Sequence, residues 1–218
     1  MSENTRTISP NKAKKSLTHA MKKKRPVFMW GPPGIGKSDI VAQVTNTFSN
    51  SHLIDIRLSL WDPTDIKGIP YFDSNIGKMV WGAPNELPDE KMAEQYDNIV
   101  LFLDEMNSAP PAVQAAAYQL ILNRRVGQYK LPDNVIIVAA GNREGDKGVT
   151  YRMPAPLANR FVHIELKVEF NDWFDWAVDN KIHKDVVGYM QFSKKDLYDY
   201  DPRTSSRSFA TPRSWTFV

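Results

Sequence analysis

The 218-residue sequence predicts a three-layer α/β domain built on a parallel sheet. Two apolar runs, residues 99–103 and 135–139, are continuous rather than alternating, as strands covered on both faces are. Stretches with helical spacing of apolar residues lie between the strand-like runs, which is how crossover connections read. A short apolar run at 27–30 meets a Gly/Pro cluster directly, so a buried strand there ends in a tight loop.

Taken in order, Ser9-Pro10 starts a helix that runs to about residue 24, where Pro26 ends it. After the strand at 27–30, Ile40, Val41, Val44 and Phe48 recur at helical spacing. Ile54, Ile56, Leu58 and Leu60 alternate with Asp55, Arg57 and Ser59, the pattern of a half-exposed strand at a sheet edge. Residues 61–88 are rich in Pro, Gly and Trp without a lasting period, which marks a functional segment or an insertion. A short helix is expected at 89–97, a central strand at 99–103, and a helix from Pro110-Pro111 to about 124. Strands follow at 135–139 and 161–166. Beyond about 167 the composition changes. Residues 170–191 read as helical, with Trp173, Trp176, Ala177 and Val187 on the buried face, and 200–212 as a loop. The chain thus divides into a basic N-terminal helical segment (1–25), an α/β core (26–167) and a partial helical lid (168–218).

The composition, 42% hydrophobic and 24% charged, is that of a soluble globular protein. There is no cysteine, which excludes disulfides and thiolate metal sites. No apolar run approaches the roughly 18 residues of a membrane span, and no apolar h-region follows the basic start, so a cytoplasmic protein is expected. Residues 1–25 hold eight of the 28 Lys/Arg and one of the 25 acids, leaving the remainder at a net charge of −4. That basic segment could meet nucleic acid or an acidic partner. A solvated helix face is the plainer account, since no aromatic residues interleave with the lysines.

The chemistry is concentrated in three places. Gly31-Pro32-Pro33-Gly34-Ile35-Gly36-Lys37-Ser38 has the G-x-x-x-x-G-K-S spacing of a phosphate-binding loop, with a strand before it and a helix after it. Its glycines let backbone N–H groups turn inward toward phosphate oxygens. Lys37 then reaches the β- and γ-phosphates of ATP, and Ser38 ligates Mg²⁺. Asp104-Glu105 leaves the strand at 99–103 at the edge where open α/β sheets bind ligands. Asp104 is expected to hold Mg²⁺ and Glu105 to polarise the attacking water, although two acids there could also serve a following helix start. Asn142 ends the next strand, where its amide can meet both water and the γ-phosphate, or simply end the strand in a turn. Arg160 and Arg213 could bring positive charge to the transferring group, or be surface ion-pair partners. His19, His52, His163 and His183 are scattered and form no ligand set.

These residues resemble the MoxR branch of the AAA+ ATPases over roughly 26–217. The likeness rests on residues 31–38, Leu101-Phe102-Leu103-Asp104-Glu105, Ala140-Gly141-Asn142-Arg143, Leu157-Ala158-Asn159-Arg160-Phe161 and Thr211-Pro212-Arg213-Ser214-Trp215. Asp65-Ile66-Lys67-Gly68-Ile69-Pro70 and Trp81-Gly82-Ala83-Pro84 resemble a bacterial and phage subgroup. The resemblance implies an AAA+ P-loop fold, with Asn142 as sensor 1, Arg160 as an arginine finger acting on a neighbouring subunit, and Arg213 as sensor 2 on the lid. Arg152 could share or replace the finger role. It also implies a homo-oligomeric ring, commonly a hexamer, and chaperone-like remodelling of a protein, often with a von Willebrand factor A domain partner. A nucleic-acid motor or loader is the alternative. Such lids continue past sensor 2, and this chain stops at Val218.

Overall fold

Pro10 has the fixed φ that suits a first helical turn, and α1 runs Pro10–Lys22. Ala13, Leu17, Ala20 and Met21 fall on its buried face, leaving Lys12, Lys15 and Lys22 exposed. The elements that follow are β1 (Val27–Trp30), α2 (Lys37–Thr45), β2 (Ser51–Arg57), α3 (Pro63–Lys67), β3 (Ile69–Asp73), β4 (Lys78–Gly82) and α4 (Glu90–Gln95). Next come β5 (Asn98–Asp104), α5 (Pro111–Asn123), β6 (Arg125–Val126), β7 (Tyr129–Lys130), β8 (Val135–Gly141), α6 (Ala155–Ala158), β9 (Val162–Glu165), α7 (Phe170–Asp179) and α8 (Lys184–Phe192). The computed structural model describes residues 6–143, 145–146, 150–203 and 208–218. Part of the loop expected at 200–212 and the first five residues of the basic segment lie outside them.

The main sheet has five parallel strands in the order β2-β5-β8-β1-β9. Its two faces carry separate apolar layers. Phe28, Leu101, Leu103 and Ile137 pack toward α3 and α5, while Met29, Val100, Phe102 and Val138 pack toward α1 and α2. This is the three-layer arrangement predicted, with β5 and β8 in the middle because their residues are apolar on both sides. On the outer side of β9, Ile8 bridges to Leu166, with Ile8 N donating to Glu165 O (2.8 Å) and Lys167 N to Ile8 O (3.1 Å).

The structure corrects three expectations. The edge strand stops at Arg57, whose partner Asp104 is the last residue of β5. With no neighbour beyond, Leu58–Leu60 winds into a 3₁₀ turn, burying Leu58 and leaving Leu60 76% exposed. Residues 61–88 hold α3, started by an Asp62–Asp65 capping box, and the antiparallel hairpin β3–β4. Ile69, Tyr71, Phe72, Ile76 and Met79 are all exposed on that hairpin, so no one-sided burial pattern marks it. The helical stretch at 170–191 is two helices. Lys181 takes a left-handed φ of 58°, and Ile182 N and Lys181 N close back on Ala177 O (2.9 Å) and Val178 O (3.1 Å). Glycine is the usual residue at such a stop, and lysine hides it. Val186 is the more deeply buried of the two valines, at 7% exposed, while Val187 is half-buried against the same cluster.

Phe102 is fully buried at the centre of the sheet. Phe102→Ala should therefore lose about 3–5 kcal/mol in urea unfolding, whereas Leu60→Ala at the exposed turn should change stability by less than about 0.5 kcal/mol.

Candidate active site

Parallel pairing brings the C-terminal ends of four strands to one edge. Arg57 lies beside Asp104, and Trp30 beside Gly141, so the residues that follow all emerge together. From Trp30 the chain enters the loop at 31–36. Gly34 (φ 75°) and Gly36 (φ 88°) are in the left-handed region, which a side chain would strain. A Cβ on Gly34 would also come within 2.7 Å of the buried Thr211. The loop is therefore seated against the C-terminal segment, and Arg213 N donates to Gly34 O at 3.2 Å.

Lys37, the first residue of α2, is only 9% exposed. Its ammonium has three N–H donors. They are taken by Gly31 O (2.5 Å), Pro32 O (3.1 Å) and Asn142 Oδ1 (3.1 Å). Burial lowers its pKa to about 8 from 10.5; Asp104, Asp146 and Glu105 oppose that shift and Arg213 adds to it. Ser38 Oγ donates to Asp104 Oδ2 at 3.4 Å. A hydroxyl and a carboxylate this close are hard oxygen donors of the kind Mg²⁺ takes. No group of three or more His, Cys, Asp or Glu that could hold a metal occurs among the described residues, so the other ligands of a cation here would be phosphate oxygens and water.

Glu105 follows Asp104 with a left-handed φ of 54°, a conformation that costs a non-glycine residue about 1–2 kcal/mol. The turn directs its carboxylate back toward the end of β2. There Ser59 Oγ donates a short hydrogen bond to Oε2, and Arg57 Nε lies 3.6 Å from Oε1. A cavity of about 230 Å³ opens beside the loop, between Ile35 and Ile40 on one side and Val168, Trp173, Trp176 and Phe217 on the other. Pro10 and Lys14 of α1 and Arg213 complete its wall. Asn11 N donates to Asp172 Oδ2 (2.7 Å), which fastens α1 to α7 across this cavity.

The expected residues thus divide. Lys37, Ser38, Asp104, Glu105, Asn142 and Arg213 meet at one edge. Arg160 does not: it is exposed at the turn between α6 and β9, with its N–H donated to Leu157 O (2.9 Å). Arg152 is also exposed and lines a separate cleft with Trp30, Arg143 and His163. Sequence reasoning missed Ser59 and Arg57 as contacts of Glu105. Nothing in an alternating strand shows that its last residues turn toward a carboxylate on the next strand. It also missed the cavity wall, although Trp173 and Trp176 read as part of a buried face.

A loop of this geometry, with a buried lysine, a Ser–Asp pair and a following glutamate, defines a P-loop site for a nucleoside triphosphate. The model of the AAA family, the ATPases associated with various cellular activities, matches residues 27–168, and the chain belongs to that family. It is 24% identical over 200 residues to midasin of Giardia intestinalis, a match covering 83% of this chain and 4% of that protein. It is 24% identical over 202 residues to a proteasome-associated ATPase of Pseudarthrobacter chlorophenolicus, covering 84% of this chain and 32% of that one. The chain therefore spans a third or less of these relatives. A crystal structure of a Cytophaga hutchinsonii protein, provisionally classed as an ATPase, superposes with a TM-score of 0.56 at 18% identity, over 82% of this chain and 52% of that one. That likeness concerns the fold.

The lysine's environment makes a pH prediction. Below about pH 8 Lys37 is charged in the folded and unfolded states alike, and folding bears the full cost of its burial. Between about 8 and 10.5 the folded state releases its proton first, the unfolded chain holds more protons, and stability rises with pH. The gain should approach about 3 kcal/mol. It should appear as the difference between wild type and Lys37→Met in unfolding free energy, measured without nucleotide from neutral pH to about pH 10.

Proposed function

We propose that this chain is a Mg²⁺-dependent ATPase of the MoxR branch, working in a homo-oligomeric ring to remodel a protein partner. The observation that carries the reading is the convergence of Lys37, Ser38, Asp104, Glu105 and Asn142 at one sheet edge beside a cavity of base size. The adenine ring enters the cavity against Ile35 and the lid tryptophans. The phosphates lie over residues 31–36 and take Lys37 from the carbonyls that hold it. Ser38 and Asp104 would hold Mg²⁺ together with the phosphates, and the ion would supply positive charge to the transferring γ-phosphoryl group. Glu105 accepts the proton of the attacking water, and Asn142 orients that water against the γ-phosphate. Arg213 closes over the phosphates from the lid, residues 168–218.

Exposed apolar side chains on the β3–β4 hairpin support a protein rather than a nucleic-acid substrate, since apolar patches of this kind mark interaction sites. Arg160, outside the chain's own pocket, is assigned to the pocket of the next subunit in the ring. The proposed setting is cytoplasmic; no helix among the described residues is long and apolar enough to cross a membrane.

Two experiments test this. Lys37→Ala should lose ATP binding in a fluorescent-nucleotide titration, while Glu105→Gln should bind ATP and hydrolyse it negligibly. Equal ATP affinity in wild type and Lys37→Ala would remove the phosphate site. For the ring, Arg160→Ala should hydrolyse ATP about 10³-fold more slowly, the low end for an arginine finger. Mixing it with Glu105→Gln protein should then restore part of the rate, because some intact pockets come to face intact arginines. No recovery despite demonstrated subunit exchange would transfer the role to Arg152.

A further inference from the structure

Beyond the residues that touch nucleotide, one buried side chain joins the elements that carry them. β8 pairs with β5 as far as Leu103–Ala139, and then Glu105 turns left-handed and the two strands part. On its other side, β8 pairs with β1 as far as Trp30–Gly141. Asn142 is thus the first residue past the end of both ladders, and its peptide groups lack a strand partner. Asn107 supplies one. Its Nδ2 donates to Asn142 O at 2.7 Å, and its Oδ1 accepts from Asn142 N at 3.2 Å. The carboxamide therefore does for Asn142 what a neighbouring peptide group would do inside the sheet.

Asn107 is 2% exposed, and a polar group buried that deeply is costly unless both ends are bonded. Gly141 is shaped around it: a Cβ at 141 would collide with the Asn107 carboxamide, coming 2.7 Å from its Cγ. Asn107 also sits in the 3₁₀ turn that begins at Glu105, closed by Ser108 N donating to Glu105 O at 2.9 Å. Its own carbonyl accepts from Tyr151 N at 2.7 Å, which fastens the segment bearing Arg152. With its backbone held in this way, Asn142 keeps its side chain free to face Lys37, 3.1 Å away.

We propose that Asn107 is a positioning residue for ATP hydrolysis, fixing the Asn142 amide relative to the Glu105 carboxylate. It touches neither nucleotide nor water itself. The inference rests on the reading that Asn142 faces the γ-phosphate, so Asn142→Ala is measured alongside as a reference.

The test is steady-state hydrolysis and fluorescent-ATP binding by the full chain carrying Asn107→Asp, Asn107→Ala or Gly141→Ala, with thermal melts to confirm folding. Asn107→Asp keeps the size and the acceptor but puts a second oxygen against Asn142 O. It should keep ATP affinity within about threefold of wild type while kcat falls about a hundredfold, the scale of a 1 Å misplacement near a reacting group. As the pH is lowered, its rate relative to wild type should recover, because the protonated carboxyl again donates to Asn142 O. Gly141→Ala, whose Cβ would meet the same carboxamide and also come 2.9 Å from the buried Phe28 ring, should show the same split between kcat and affinity where its melt matches wild type. Wild-type kcat in folded Asn107→Asp and Gly141→Ala would overturn the proposal, and so would parallel losses of kcat, ATP affinity and melting temperature, which indicate a structural role alone. If Asn142→Ala itself hydrolyses ATP at the wild-type rate, the assignment of Asn142 fails first and the proposal falls with it. If Asn142→Ala is slow and the Asn107 variants are not, only the proposal fails.

Discussion

A lysine ammonium shut away from water needs oxygen on every N–H it carries, and the arrangement of this molecule follows from where those oxygens come from. Two are carbonyls at the start of the loop after β1, and the third is the amide of Asn142 after β8. They converge only if β1 and β8 are adjacent, parallel and in register, so that Trp30 and Gly141 end side by side. The loop must also double back through left-handed residues at Gly34 and Gly36 to bring Lys37 beneath its own beginning. The same register places Asp104 and Glu105 on the far side of Asn142. The site is thus a consequence of strand ends meeting at one edge, and the helices cover the two apolar faces of that sheet.

The three hydrogen-bond partners of Lys37 are neutral oxygens, and burial lowers its pKa even though the carboxylates of Asp104, Asp146 and Glu105 oppose the shift. Carbonyl dipoles stabilise an ammonium less well than anions do. A phosphate chain over the loop would add further negative charge beside an ammonium that burial makes costly to keep charged. Arg213, tied by its backbone to Gly34, adds a second positive charge to the same small volume.

Most of this was legible in the residues, for physical reasons that differ from place to place. The central strands announce themselves because both faces are buried, as at Val100, Leu101 and Phe102. The phosphate loop is a local motif, readable without tertiary knowledge, and Asp104-Glu105 follows from its strand. What could not be read depends on contacts between distant segments. The β3–β4 hairpin has no buried face, so its sequence carries no periodic signal. The break between α7 and α8 occurs at Lys181, a residue type that does not advertise a left-handed turn. Ser59 and Asn107 read as ordinary polar residues until β2, β5 and β8 are set side by side. Thr211 and Trp176 are similar cases, since the loop and the cavity they complete lie far from them in the chain.

The bridge between Ile8 and Leu166 bears on how copies of this chain can meet. An open parallel sheet has two outer strands whose free peptide groups can accept a strand from another molecule. On the β9 side that row is already partly engaged by Ile8, through Glu165 O and Lys167 N. On the β2 side, Asp55 and Arg57 stand exposed along the strand, and charged residues at an edge discourage pairing. Growth of the sheet from one molecule into the next is thereby opposed at both margins. In the proposed ring, contact between copies would fall instead to loops and helix faces, where it could form and break without disturbing the backbone ladder within each chain.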